Sequence, residues 1–170
     1  MHSKYYIPAR SATPPYTVDV TPESAGWTES SLKVVELGSP LTLDTTDTEV
    51  MILPLAGHGS VEADGETFEL SKRASVFDGP ADMVYVGTDQ RFTLSGEGRI
   101  AICGARAKRQ LPNRRVAAAD VPVELRGTGN CSRQVHNFGA AGAFEADSLI
   151  ACEVITPGGN WSSYPAHKHD

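Results

Sequence analysis

From Leu32 to Ala105 the chain is a succession of brief runs rich in β-branched and aromatic residues, each closed by turn formers. They are LKVVELG from Leu32, TEVMILPL from Thr48, DMVYVG from Asp82, RFTLS from Arg91 and RIAICGA from Arg99. No long window repeats apolar residues at helical spacing, and 16 Gly and 11 Pro interrupt what there is. Short strands at roughly ten-residue spacing predict an all-β sandwich or barrel. The sharpest local signal is SVEADGETFEL, where Val61 and Ala63 alternate up to Asp64-Gly65, and Phe68 and Leu70 alternate after it. Asp-Gly readily supplies the positive φ angles of a type I′ turn, so this stretch predicts a hairpin.

The texture changes at Arg109, where RQLPNRRVAAADVPVE is polar and punctuated by proline, without alternation. Residues 109–125 therefore read as an interdomain linker after a first unit of residues 1–108. The strand-like CSRQVHNFG and DSLIACEVITPGGNW follow, so residues 126–170 read as the opening of a second β unit. A second sandwich needs on the order of 100 residues, more than are left. A net charge of −6 opposes nonspecific attraction to nucleic acid and to anionic membranes, and no nucleic-acid motif occurs. The start MHSKYYIPARSATPPYTV has no signal-peptide core, and no apolar run could span a bilayer, so a cytoplasmic protein is expected. Cys103, Cys131 and Cys152 are odd in number, lack C-x-x-C spacing, and read as reduced core or near-core thiols.

The end of the chain, TPGGNWSSYPAHKHD, places His167 and His169 two residues apart. In an extended strand that spacing puts both imidazoles on one face, able to reach one metal ion. A charged tail is the plainer account of a bare H-x-H at a chain end. The Pro-Gly-Gly turn, Trp161, the Ser pair, Tyr164 and Pro165 ahead of it are unlike a disordered tail.

This stretch resembles the first metal-binding motif of cupins, in which two histidines one residue apart precede a glutamate and, on a later strand, a third histidine. More narrowly, GNCSRQVHNF, EADSLIACEVITPGGNWSSYPAHKHD and, near the front, VTPESAGWTESSLKVVELG resemble the 5-deoxy-glucuronate isomerase family of inositol catabolism. That resemblance implies a bicupin: residues 1–108 as a metal-free cupin-like β-sandwich (jelly roll), and residues 126–170 as the start of a metal-binding second cupin. It implies an aldose-ketose isomerase converting 5-deoxy-glucuronate to 5-dehydro-2-deoxy-gluconate, of which this chain is an N-terminal part that is inactive alone. His167 and His169 would be two ligands of a divalent metal, zinc first, with manganese, iron and nickel also suited. The remaining ligands and the general base would lie outside the chain. The partner implied is a small sugar acid, with homo-oligomerisation left open.

The first unit offers only His58 where an active cupin carries two histidines and a glutamate, so His58 reads as structural, as does His136, while His2 is expected in a frayed terminus. Arg133 could grip a sugar-acid carboxylate through its two-pronged guanidinium, or be a strand-edge arginine. Arg114 and Arg115 could do the same, but read better as solvated linker charge. Trp161, Ser162 and Tyr164 could line a sugar pocket or merely support the histidine strand. Two further readings compete with the isomerase: a noncatalytic cupin that binds sugars or assembles, and a cupin oxygenase holding ferrous iron on the same histidine pair.

Overall fold

The structure, a computed structural model, describes residues 7, 12–140, 142–165 and 167. Its strands run β1 (Tyr16–Val20), β2 (Ser30–Leu37), β3 (Leu41–Asp44), β4 (Thr48–Ala63), β5 (Glu66–Arg73), β6 (Met83–Val86), β7 (Arg91–Arg106) and β8 (Arg114–Val116) in one antiparallel sheet. Then β9 (Val123–Arg126), β10 (Arg133–Asn137) and β11 (Cys152–Ile155) form a second, three-stranded sheet with β10 at its centre. A single helical turn, α1 (Pro22–Ala25), follows β1 and is capped by Thr21, whose hydroxyl accepts from the Ser24 amide. This is the expected all-β, cupin-like sandwich.

The Asp64-Gly65 hairpin forms as expected, with φ of 52° and 75° at its two turn residues and Ala63 opposite Glu66. RFTLS and RIAICGA, read as separate strands, are instead the two ends of the 16-residue β7. TEVMILPL and the first arm of the hairpin likewise fuse into the 16-residue β4. The two long strands pair along their whole length, with Gly57 opposite Gly98 and Gly59 opposite Gly96. At that crossing the backbones lie too close for side chains: a Cβ on Gly57 would stand 2.1 Å from the Glu97 carbonyl oxygen. With φ of 106° at Gly57 and 111° at Gly98, the ladder continues through a region that looks like a turn in sequence. Pro54, which donates no backbone bond, sits at a register shift between Pro54 and Ala56.

Strand alternation divides the core in two. On β4, Val50 and Ile52 face an inner cluster with Val35, Val84, Phe92, Leu94, Ile100 and Ile102, while Met51 and Leu53 face an outer one. The outer cluster joins Met83, Tyr85 and Ala101 of the sheet to Val121, Phe138 and Leu149. The chain after β7 therefore covers the outer face of the first sheet, and β4 is buried on both sides from Glu49 to Pro54. Each such fully buried apolar side chain contributes about 1.5–3 kcal/mol.

That packing corrects the linker reading of residues 109–125. Within it, β8 adds to the first sheet beside β6, with Val84 opposite Arg115, and Val121 is buried in the outer cluster. The arginines expected to be solvated are fixed. Arg115 donates to Asp82 at 2.8 Å and to the Glu69 carbonyl at 2.7 Å. Arg114 lies 4.3 Å over the Phe144 ring and donates to the Glu145 carbonyl. The polar texture hid this because the segment is held by long-range polar bonds together with Leu111, Val116 and Val121, which pack on the outer cluster.

Candidate functional site

Two buried carboxylates pin the C-terminal segment to the sandwich. Glu49 is wholly buried and accepts four hydrogen bonds: from the Tyr85 hydroxyl at 2.6 Å and from the amides of Asp147, Ser148 and Leu149 at 2.6–2.9 Å. Burial, and then the bond to Glu49, push the Tyr85 hydroxyl well above its ordinary range. Nearby, Asp147 accepts from Arg109 and from the Lys108 amide, and these bonds hold its carboxyl at about 2.

Glu153 of β11 is the second anchor. Its two oxygens take both arms of the Arg73 guanidinium, at 2.6 and 3.1 Å, and Arg73 is only 4% exposed. The same two terminal nitrogens also reach the carbonyls of Pro54, Val76 and Gly79, while the buried Nε has no partner among the described residues. His136 of β10, opposite Glu153 in register, donates from Nδ1 to Glu153 at 2.8 Å and accepts on Nε2 from the Gln134 amide. His136 is thus structural, as expected, and has specific partners in the network that joins the two sheets.

Beyond β11 the chain returns beside the β9–β10 connection. The Trp161 amide donates to the Asn130 carbonyl at 2.7 Å, and the Asn160 side chain donates to the Ser132 carbonyl at 2.9 Å. Arg133, half-buried, donates to the Cys131 carbonyl at 3.2 Å, so its guanidinium closes the same connection. Trp161 and Tyr164 stack edge to face with centroids 5.6 Å apart, and both are exposed. Of the sequence-derived residues, the fold brings together the Arg133 turn, Trp161 and Tyr164.

His167 is exposed, and its Nδ1 lies 2.8 Å from the Pro165 carbonyl. A carbonyl only accepts, so Nδ1 is the donor in this contact. His169 lies outside the described residues, as do Lys168 and His2. Among the described residues no three His, Cys, Asp or Glu side chains converge as a ligand set. His58 is exposed on β4 opposite Glu97. The three cysteines are free thiols, but Cys152, expected in or near the core, is exposed on the short strand β11; burial raises the Cys103 thiol. No described helix is long and apolar enough to cross a membrane.

Sequence reading missed Glu49, Arg73 and Glu153. The available signal was a charge on an apolar face: Glu49 shares its side of β4 with Met51 and Leu53.

Fold and site together define a cupin-like sandwich with a C-terminal segment locked to its outer face, leading into an exposed stretch that reaches His167. The chain belongs to the KduI/IolB family, whose model matches residues 5–170. It is 40% identical over 158 residues to the 5-deoxy-glucuronate isomerase of Halalkalibacterium halodurans, covering 89% of this chain and 58% of that protein. The protein of the same name from Geobacillus kaustophilus is 38% identical over 175 residues, covering 99% of this chain and 63% of the relative. A crystal structure of an IolB-like protein from Salmonella typhimurium LT2 superposes with a TM-score of 0.86 at 32% identity, over 94% of this chain and 63% of that one. The chain thus spans about three-fifths of the length of these relatives.

Proposed function

We propose that this chain is the N-terminal part of a cytoplasmic sugar-acid isomerase that converts 5-deoxy-glucuronate to 5-dehydro-2-deoxy-gluconate in myo-inositol catabolism. The observation that carries this reading is the family match, which extends to residue 170 and takes in both His167 and His169. Relatives at about 40% identity that are 5-deoxy-glucuronate isomerases supply the substrate.

His167 suits a metal ligand because its Nδ1 proton is already committed to a backbone carbonyl. His167 and His169 would hold a divalent cation, with zinc the first choice and manganese, iron or nickel suited by the same donors. When bound, such a cation stabilises the negative charge that develops on oxygen as an aldose passes to a ketose. The reaction moves a proton from C2 to C1 through an enediolate and the hydroxyl proton from O2 to O1, with no net oxidation. Within this chain, Trp161 and Tyr164 would offer an aromatic wall to the sugar's C–H face, and Arg133 a guanidinium toward its carboxylate.

In the full-length protein, His167→Ala and His169→Ala should each abolish metal retention and turnover while the sandwich stays folded. Lys168→Ala, which an extended strand would point the other way, should retain most of both. Metal content by mass spectrometry and a ketose-forming assay decide it. Equal damage from Lys168→Ala, or full activity in both histidine variants, would reject the site. The purified 170-residue chain should show no turnover.

A further inference from the structure

At the end of the sandwich where β3 turns into β4, the inward-facing rows stop being apolar. On β2, the row that sends Val35 and Leu37 into the inner core continues outward with Lys33 and Ser31. On β4, the row of Ile52 and Val50 continues with Thr48. These residues line a cavity of about 270 Å³ whose floor is buried hydrocarbon from Val50, Phe92 and Ile102. That volume equals about nine liquid waters, room for one small organic molecule and too little for a peptide. The mouth of a β-barrel or sandwich is a favoured place for such a ligand.

The polar groups set the ligand's chemistry. Lys33 is unusual on an inward row, and its Nζ stands 3.9 Å from Asp19 Oδ1, beyond hydrogen-bond reach, and 5.1 Å from the Tyr16 ring centroid. None of its donors is taken by an acceptor among the described residues. Three carboxylates share the rim, each against an arginine: Asp44 with Arg91 at 2.8 Å, and Asp47 and Glu23 with Arg106 at 3.6 and 3.4 Å. One guanidinium serving two carboxylates leaves no surplus of positive charge to draw an anion. The carboxylates keep acceptor sites to spare, and Lys33 keeps donors. Donors and acceptors above a hydrocarbon floor match a molecule with hydroxyls along its edge and C–H bonds on its face.

We propose that this cavity binds a neutral sugar or polyol. The site belongs to the first sandwich and uses none of the histidines, so it stands or falls independently of the isomerase reading. The test is a titration of the ¹⁵N-labelled 170-residue chain with D-glucose and with sorbitol, followed by amide chemical shifts, with D-gluconate as the anionic counterpart. Saturable shifts confined to Lys33, residues 44–48, Phe92 and Arg106 are expected, with a dissociation constant on the order of a few millimolar for an unoptimised ligand of this size. Lys33→Met, which keeps the stem and removes the ammonium, should weaken binding about tenfold, the loss expected for a charge-assisted hydrogen bond. Gluconate should bind at least about tenfold more weakly than glucose, because its charge faces the rim carboxylates. No saturable shift by about 100 mM, shifts scattered over the surface, or gluconate binding as well as glucose would overturn the proposal. Should Lys33→Met fail to fold, the map on the unaltered chain decides alone.

Discussion

Replacing Glu153 with Ala strips the counter-charge from a guanidinium that has no route to water. The Arg73 side chain is 4% exposed and that of Glu153 13%, and the two share bonds of 2.6 and 3.1 Å. Removing one partner of a buried pair costs about 3–5 kcal/mol, because the other charge stays desolvated. Arg73 keeps three carbonyl acceptors, on Pro54, Val76 and Gly79, and water can enter where Glu153 stood, which sets the lower end at about 3 kcal/mol. His136 also loses the acceptor of its Nδ1 proton, adding about 1 kcal/mol. The variant should therefore be about 3–4 kcal/mol less stable. With a urea slope of about 2 kcal/mol per molar, its unfolding midpoint should fall by about 1.5–2 M. Circular dichroism through a urea series measures this, and a cycle with Arg73→Met isolates the pair. The double variant should recover at least about 1 kcal/mol relative to the sum of the single changes. A loss under about 1 kcal/mol for Glu153→Ala, or strict additivity in the cycle, would refute the view that this pair is buried and locks the sheets together.

Burial raises the Asp82 carboxyl, but bonds from Ser71, Arg115 and the Ala118 amide outweigh it and hold it at about 2, against 3.8 for an unperturbed aspartate. The unfolded chain thus takes up that proton first, and the stability Asp82 supplies is complete above about pH 4 and lost as pH falls toward 2. Urea midpoints of the unaltered chain and Asp82→Asn should differ at pH 5 and converge near pH 2; a constant gap would contradict this. Gly57→Ala forces a Cβ against the Glu97 carbonyl, whereas Gly65→Ala meets open space at a similarly positive φ. Gly65→Ala should cost about 1 kcal/mol and Gly57→Ala several times more, read as melting temperatures, and equal losses would contradict the close approach. Glu49→Gln keeps one oxygen for the Ser148 and Leu149 amides and turns its NH₂ toward the Tyr85 hydroxyl and the Asp147 amide, so hydrogen exchange at Asp147 should speed by at least about tenfold while β2 is unchanged.

What was legible in the sequence followed from local rules. The Asp64-Gly65 turn needs only its own two φ angles, and the strands at Leu32, Thr48 and Asp82 carry enough β-branched residues to declare themselves. The joining of RFTLS to RIAICGA was not legible, because Gly96 and Gly98 read as a turn until the opposing Gly57 and Gly59 are known. The linker reading failed for a related reason: Arg115 looks solvated unless Asp82 is known to lie beside it, and that contact spans 33 residues. At the site, the His-x-His spacing was visible, but the carboxylates that fasten its segment to the sandwich are defined only by partners far along the chain. Glu49 meets Leu149 across 100 positions.

The two-sided burial of β4 also bears on synthesis. When the ribosome has delivered β7, the inner core has all its strands, yet Met51, Leu53, Met83 and Tyr85 still present a bare apolar face. Their cover is completed by Leu149, roughly 40 residues later, which at about 5–20 residues per second leaves that face open for about 2–8 s. During that interval the nascent sandwich is a natural client for a holding chaperone. A chain arrested just beyond Arg106 should bind a hydrophobic dye that the 170-residue chain does not.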